Sequence, residues 1–444
     1  PLTTMPGPVP TPYASFSSPP PSSLKFLQCV GRVRLDFSTY SSESPLHAEI
    51  VSLLSEAATD SDKKTAKKLI KNATNKCREV MDGFQVDCSS CDVEISVSSS
   101  HVLSTSGLIC SSFLDAGCSK IIVPIDEGYA ALEASLLPPN RLIASLKSDT
   151  PPPSFGILSN LTKTLTILTD STPSSIDSAL NILSTLGPTS KVDKIITVSN
   201  ADAETVKKWN DVKVQTCMNE ATPKSIVEGY MSMAKTDRDD GLFTTVVTSR
   251  SGVALGLVYS SLESVVAAIE CGRGVYYSRS RGGLWRKGDS SGNYQDLYRI
   301  DLDCDGDALR FMVGQRGENP AFCHLNTLTC WGEPVGVTHL EEVLVDRLRN
   351  APEGSYTKRL FEDEELLRNK LVEEAQELSE AVEKRHIAEE LADVLYFAMV
   401  RAVKGGVSID DAVKVLDERS KKVTRRPGND KKERIEAAKK ILEG

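Results

Sequence analysis

Two stretches of this sequence gather side chains that could hold metal ions. In the first, Asp303, Cys304, Asp305, Gly306 and Asp307 put a carboxylate at every second position. On a strand, positions i, i+2 and i+4 share a face, so the three acids would converge as a Mg2+ site requires, with Cys304 turned the other way. An EF-hand loop opens with the same spacing, but Gly314 occupies the twelfth position, where a bidentate Glu belongs, and a calcium-sensor loop is excluded. Standing alone, the trio would read as a solvated turn. It is followed by Cys323, His324 and Cys330, and thiolate with imidazole is the donor set that zinc prefers. Cys304, Cys323 and Cys330, with no clean fourth cysteine, leave one coordination position for a water, whose pKa zinc lowers to about 7. His324 adjoins Cys323, so the two side chains diverge and His324 suits a general base. The alternative for the same residues is a closed Cys3His site or a set of buried thiols.

The second stretch is helical in pattern. Leu371, Ala375, Leu378 and Val382 form an apolar stripe at helical spacing, with Glu373, Glu374 and Glu377 beside it. Glu390 and Asp393 lie one turn apart on a following helix, whose core stripe reads Leu391, Val394, Leu395 and Ala398. Packed antiparallel, the two helices would turn five carboxylates toward one pocket, a repulsive arrangement unless Mg2+ neutralises it. Solvated glutamates on a helix surface are the plain alternative. Lys358, Arg359 and Lys370 are candidates for holding phosphates nearby.

Upstream of the Asp trio, residues 276–292 concentrate basic, hydroxyl and glycine residues. Arg279 and Arg281 offer forks for phosphate oxygens, Trp285 a wall for a base, Lys287, Ser290 and Ser291 further donors, and Gly292 close backbone approach. An ordinary basic surface loop is the alternative. The patch matters because the chain is acidic overall, with 52 Lys and Arg against 61 Asp and Glu and a net charge of −9. That balance argues against nucleic acid or anionic membrane as a partner, so a phosphorylated ligand must be held by a local patch or by metal. No apolar run approaches the roughly 20 residues of a membrane span. Eleven scattered cysteines are no disulfide framework and suit a reducing compartment, the cytoplasm first; Cys88 and Cys91 form a CxxC with no second pair at zinc-ribbon spacing.

The elements that must position these residues divide the chain by texture. Residues 1–26, rich in Pro, Ser and Thr, read as a disordered extension, with a plastid transit-peptide remnant as the alternative reading. Over 27–220, β-branched runs at 30–37, 93–97, 120–124, 142–146, 164–168 and 194–198 alternate with amphipathic stretches such as 175–186 and 203–209. Strands separated by helices predict an α/β domain with a parallel sheet, either doubly wound or barrel-like, and no chemical motif rises from it. Residues 235–335 predict a compact α+β unit that opens with a hairpin at 243–259. Residues 340–426 read as all-helical, and 427–444 as linker or tail.

Three ordered strings, SRSRGGLWRKGDSSGNYQ, DLDCDGDALRFMV and FCHLNTLTCW, resemble phosphoribosyl-AMP cyclohydrolase of histidine biosynthesis over about 235–335. The resemblance implies Zn2+ on Cys304, Cys323 and Cys330, Mg2+ on Asp303, Asp305 and Asp307, His324 in the active site, and water adding to purine C6 so that the N1–C6 bond opens. It also implies sites assembled at a homodimer interface, which agrees with Cys304 facing away from the Asp trio. Glu373, Glu374 and Glu377 followed by Glu390 and Asp393 look like the helical nucleotide pyrophosphohydrolases related to MazG. Ser355, Tyr356, Thr357, Arg359, Leu360 and Phe361 narrow this to phosphoribosyl-ATP pyrophosphohydrolase, which implies Mg2+ on the five acids, a catalytic role for Glu374 and a phosphate contact from Lys370. The two activities are consecutive, with phosphoribosyl-ATP and then phosphoribosyl-AMP as substrates. The layout is similar to the front of the fungal multifunctional histidine enzyme, whose continuation into histidinol dehydrogenase has no counterpart expected within these 444 residues. A metal-stabilised nucleotide-binding regulator without catalysis is the competing class, against which stand intact acids at each motif position. A zinc deaminase acting at purine C6 would need H-x-E paired with P-C-x-x-C, and that pair is absent.

Overall fold

The structure, a computed structural model, describes residues 13–16, 27–37, 44–84, 88–125, 129–149, 158, 160–170, 172–186, 193–199, 201–211, 214–219, 221–317, 320–423, 436 and 440–441. Eight parallel strands close into a barrel: β1 (Tyr13–Phe16), β2 (Arg32–Asp36), β3 (Asp92–Ser96), β4 (Lys120–Pro124), β5 (Leu142–Lys147), β6 (Thr164–Thr169), β7 (Asp193–Ser199) and β8 (Gln215–Asn219). Among the described residues, the helices packed around it are α1 (Pro45–Thr59), α2 (Lys63–Gly83), α3 (Ser99–Ser104), α4 (Leu108–Ala116), α5 (Ala130–Ala134), α6 (Pro173–Leu186), α7 (Ala203–Asp211) and α8 (Pro223–Met231).

The six runs expected over 27–220 became β2 to β7, and closure came from two strands that local pattern did not announce. Tyr13–Phe16 corrects the reading of 1–26 as disordered; the rest of that stretch lies outside the described residues. Ala14 pairs with Val33 of β2 on one side and Met218 of β8 on the other, and all four residues of β1 are buried. Hydrogen bonding at both edges and full burial hold so short a strand, and the Pro and Ser around it mask the signal.

Inside the barrel, Arg34 lies in a buried polar network. Its guanidinium donates to Glu94 Oε2 (3.0 and 3.2 Å), the Tyr13 hydroxyl (2.8 Å), Thr166 (3.3 Å) and Thr197. Tyr13 in turn donates to Glu94 at 3.0 Å. An ion pair buried so deeply holds only because these hydrogen bonds satisfy it, and removing one partner of such a pair typically costs about 3–5 kcal/mol.

The barrel meets the rest of the chain through the N-terminal ends of its strands. Cys29 Sγ donates to the Leu297 carbonyl (3.6 Å), Tyr230 at the end of α8 to that of Ile300 (3.1 Å), and Arg250 to Ser89 (3.0 Å). Lys421 donates to the Cys88 and Cys91 carbonyls at 2.5 and 2.6 Å, and the Val423 amide to Asp115 at 3.2 Å. The last turn of the helical region is therefore strapped back onto the barrel.

A six-stranded sheet follows in the order β12-β11-β10-β9-β14-β13, formed by β9 (Phe243–Thr248), β10 (Ala254–Ser260), β11 (Val275–Ser278), β12 (Gly283–Arg286), β13 (Gln295–Leu302) and β14 (Ala308–Gln315). Helix α9 (Leu262–Cys271) packs beside it, capped by Ser261 and closed by Gly272 at φ +64°. The expected hairpin is β9–β10. The helical region comprises α10 (Gly336–Asn350), α11 (Tyr356–Glu362), α12 (Glu364–Glu380), α13 (Lys384–Lys404) and α14 (Ile409–Ser420). Its small core is Leu344, Leu360, Phe361, Leu367, Phe397, Met399, Val400 and Val403. This corrects the expected core stripes: Val382 is 85% exposed, Leu391 45% and Leu395 38%. The face buried between α12 and α13 instead carries Glu374 and Glu390.

At the other end of the barrel, beyond β2 and β3, Phe37, His47 of α1 and His101 of α3 stack, with centroids 4.5 Å apart for Phe37 and His47 and 4.7 Å for the two histidines. Burial, and the charge of His101 if it protonates, push His47 down to about 4. The unfolded chain, with an ordinary histidine near 6.5, therefore takes up this proton first, and the contribution is intact above about pH 6.5 and lost as pH falls toward 4. The barrel's melting temperature should drop across that window by an amount equivalent to roughly 2 kcal/mol beyond the carboxylate background. His47→Phe should remove most of this step in melts followed by circular dichroism; an unchanged pH profile would refute the assignment.

Candidate metal centres and anion loop

The Asp trio converges by a turn rather than by strand alternation, which corrects the parity expectation for residues 303–307. Asp303 lies just past the end of β13, and its Oδ1 accepts the amides of Gly306 (2.9 Å), Asp307 (2.9 Å) and Ala308 (3.2 Å). Gly306 supplies the reversal with φ +84°, a conformation side-chain-bearing residues rarely adopt. Asp303, Asp305 and Asp307 thereby bring one oxygen each within 4.8 Å of one another at the surface. A hydrogen bond that the Asp307 carboxyl donates to Asp303, together with the charges of Asp303 and Asp305, holds Asp307 above its ordinary range. A hard cation would relieve that repulsion, so the donors fit Mg2+.

Beside this turn the Lys235 amide donates to the Gly306 carbonyl at 2.7 Å. The Tyr259 ring has Arg279 over it at 4.1 Å and Arg238 at 4.4 Å, and Arg238 is held by Asp240 at 2.6 and 2.9 Å. Arg238 escaped the sequence reading because it lies some forty residues before the basic patch and meets it only through the tyrosine.

Cys323 and Cys330 face one another. The Leu325 amide lowers the Cys323 thiol despite burial, whereas burial and the neighbouring Cys323 push Cys330 up to about 11. The pair thus shares a proton that a soft cation would displace, and to that extent the thiols fit zinc. Cys304 is exposed on the Asp turn, and among the described residues no set of three donors within 4.8 Å contains it or the thiol pair. His324 is exposed, its Nδ1 3.8 Å from Cys323 Sγ. Space for the pair depends on Gly256 of β10, which the sequence reading did not single out. A Cβ there would stand 2.2 Å from the Phe322 ring and 3.1 Å from Cys330 Sγ.

Two of the expected phosphate donors are committed elsewhere. Lys287 is only 5% exposed, and its Nζ donates to the carbonyls of Asn293 (3.3 Å) and Ala321 (3.2 Å), so it does not reach outward to a ligand. The Gly292 amide donates to the Gly288 carbonyl at 2.8 Å and closes the loop instead of meeting an anion. Both corrections follow from the tightness of this loop, where a Cβ on Gly288 would stand 2.5 Å from the Tyr294 backbone. Arg279, Arg281, Ser290 and Ser291 are exposed on it, while Trp285 is half-buried, 5.8 Å from Tyr276.

On the helical unit, Glu374, Glu390 and Asp393 bring oxygens within 4.8 Å of one another across α12 and α13. Lys370 bridges Glu373 (2.8 Å) and Glu374 (2.9 Å), and His386 meets Glu390 Oε1 at 3.0 Å. Glu390 Oε2 is buried with no hydrogen-bond partner, and burial together with Glu390 and Glu374 raises the Glu377 carboxyl. An orphaned carboxylate oxygen inside an acid cluster fits a divalent cation. Lys370 is occupied by the cluster's own acids, and Lys358 and Arg359 are exposed on α11.

Residues 256–332 match the family profile described as Phosphoribosyl-AMP cyclohydrolase, and residues 337–420 that described as Phosphoribosyl-ATP pyrophosphohydrolase. A histidine biosynthesis bifunctional protein of Schizosaccharomyces pombe is 53% identical over 207 residues, 47% of this chain and 49% of that one. A histidine biosynthesis trifunctional protein of Kluyveromyces lactis is 52% identical over 214 residues, 48% of this chain and 27% of that one. The chain thus spans about half or less of the length of these relatives. A histidine biosynthesis bifunctional protein of Pyrococcus furiosus is 33% identical over 210 residues, 44% of this chain and 99% of that one.

Gly256→Ala should crowd Phe322 and displace Cys330, at a cost of about 1–3 kcal/mol in urea unfolding. It should also speed modification of Cys330 by a thiol reagent, and equal rates in both proteins would show that the glycine sets no such constraint.

Proposed function

The chain belongs to the family of histidine-biosynthesis bifunctional proteins with phosphoribosyl-AMP cyclohydrolase and phosphoribosyl-ATP pyrophosphohydrolase units, and on that premise we propose that it carries out both hydrolyses in sequence. The helical unit releases pyrophosphate from phosphoribosyl-ATP, and the sheet unit then opens the purine ring of the phosphoribosyl-AMP formed. The observation that carries this reading is the acid cluster of Glu374, Glu390 and Asp393, which includes a buried carboxylate oxygen with no hydrogen-bond partner.

Glu373, Glu374, Glu377, Glu390 and Asp393 hold Mg2+ in this reading, which when bound supplies charge neutralisation for the triphosphate and an activated water. Glu374, held by Lys370, would orient a water and take its proton, and Lys370 keeps the acids from repelling one another before the substrate arrives. In the sheet unit, Asp303, Asp305 and Asp307 hold Mg2+, and Cys323 and Cys330 hold zinc, which when bound supplies a water of lowered pKa. His324 takes the proton as the water adds to purine C6 and returns it to N1 as the N1–C6 bond opens. Arg279, braced on Tyr259, and Arg281 with Ser290 and Ser291 meet the phosphates.

The reading includes a homodimer. Ile387, Leu391 and Leu395 make an exposed apolar row at i, i+4 and i+8 of α13, and Cys304 stands apart from the thiol pair of its own chain. A second copy would cover the former and let Cys304 complete the thiol set across the interface. The eleven cysteines are scattered along the chain with no disulfide-framework spacing, which suits a reducing compartment, with the cytoplasm proposed first. Among the described residues no helix is long and apolar enough to cross a membrane.

With phosphoribosyl-ATP as substrate, Glu374→Ala should abolish pyrophosphate release, whereas Cys330→Ala should release it normally and accumulate phosphoribosyl-AMP. Two variants that both behave like the unaltered chain would overturn the site assignments. Leu391→Glu with Leu395→Glu should halve the mass seen by light scattering; an unaltered chain that is already monomeric would remove the dimer from the reading.

A further inference from the structure

We propose that Lys287 is a positioning residue of the thiol site, its ammonium serving as the fixed counter-charge of Cys323 and Cys330 and its hydrogen bonds tying the anion loop to the segment that carries the thiols. The inference rests on the zinc reading above and deepens it. Lys287 is 5% exposed, yet among the described residues no carboxylate pairs with it. Its ammonium lies 5.7 Å from the Phe322 ring, and its polar partners are two backbone carbonyls, one at each end of what it joins. Asn293 closes the glycine loop 288–293, and Ala321 stands two residues before Cys323. Charge burial without an anion is costly, commonly several kcal/mol, and carbonyl dipoles offset only part of that.

The anions that balance it are the thiols. The ammonium reaches the Ala321 carbonyl and the Phe322 ring, which lead directly into Cys323, and that ring packs with Cys330 Sγ against the same Gly256 position. Three thiolates around a divalent ion leave one net negative charge, which a single ammonium cancels. A neutral donor would satisfy the two carbonyls equally well; the charge is explained by the thiolates. The link to Asn293 has a second consequence, since a loop that meets phosphate and a segment that carries metal ligands then keep a fixed mutual geometry.

The test compares the full chain with Lys287→Gln, which keeps a donor for a carbonyl and removes the charge, and Lys287→Arg, which keeps the charge. Zinc affinity is measured by competition with a chromophoric chelator, and Co2+ substitution reads the thiolate-to-metal charge-transfer band. Lys287→Gln should bind zinc about tenfold to hundredfold more weakly and shift the cobalt band to lower energy, while Lys287→Arg stays within about threefold of the unaltered chain. Lys287→Met serves the same comparison if the Gln chain does not fold. A Gln chain that binds zinc as tightly as the unaltered one, even with a lower apo melting temperature, reduces Lys287 to a packing role and overturns the proposal. An Arg chain as weak as the Gln chain overturns it too. If the unaltered chain holds no zinc that depends on Cys323 and Cys330, the zinc reading itself fails and takes this inference with it.

Discussion

Repulsion between like charges brought together is the constraint on which both hydrolytic units turn. The helical unit buries Glu374 and Glu390 between its helices, while Leu391 and Leu395 remain outside. Acids in such places are stable only beside compensating groups, and the chain provides a cation in Lys370 against Glu373 and Glu374 and an imidazole in His386 against Glu390. What these leave unbalanced, the lone Glu390 Oε2 above all, is where an outside cation would sit in the proposed reading. The Asp303–Asp307 turn solves the same problem with backbone. Three amides stabilise Asp303, and Asp307 carries the excess repulsion.

The thiol pair is the opposite case, a buried cation awaiting anions. Lys287 sits inside without a carboxylate, and Cys323 and Cys330 share a proton beside it. Both units thus hold incomplete charge balances, which bound metal would complete in the proposed reading. A net charge of −9 is for that reason compatible with a phosphorylated ligand, because cations held by the acid clusters would face it.

The barrel contributes position. Its N-terminal end receives the sheet unit through Cys29, Tyr230 and Arg250 and the end of the helical unit through Lys421 and Val423. Both ends of the hydrolytic pair are therefore referred to one rigid body. That leaves the C-terminal ends of the strands, where barrels of this kind carry their chemistry, turned away from the units that docking engages.

The sequence by itself determined whatever is encoded within a few residues. Asp303 to Asp307, Glu373 to Glu377 and Glu390 to Asp393 name their chemistry by spacing, and β2 to β7 announce themselves by β-branched runs, because periodicity and donor type are local properties. Tertiary structure alone decided the rest. Tyr13–Phe16 is a strand only because β2 and β8 flank it, and the metal-binding turn owes its shape to Gly306 and the amides that cap Asp303, not to strand alternation. Lys287 looks in sequence like one more basic residue of an anion loop, and Gly256 like nothing at all. Their meaning depends on Ala321, Phe322 and Cys330, dozens of residues away. Burial and counter-charge are properties of the packed chain, and no short window of sequence contains both partners.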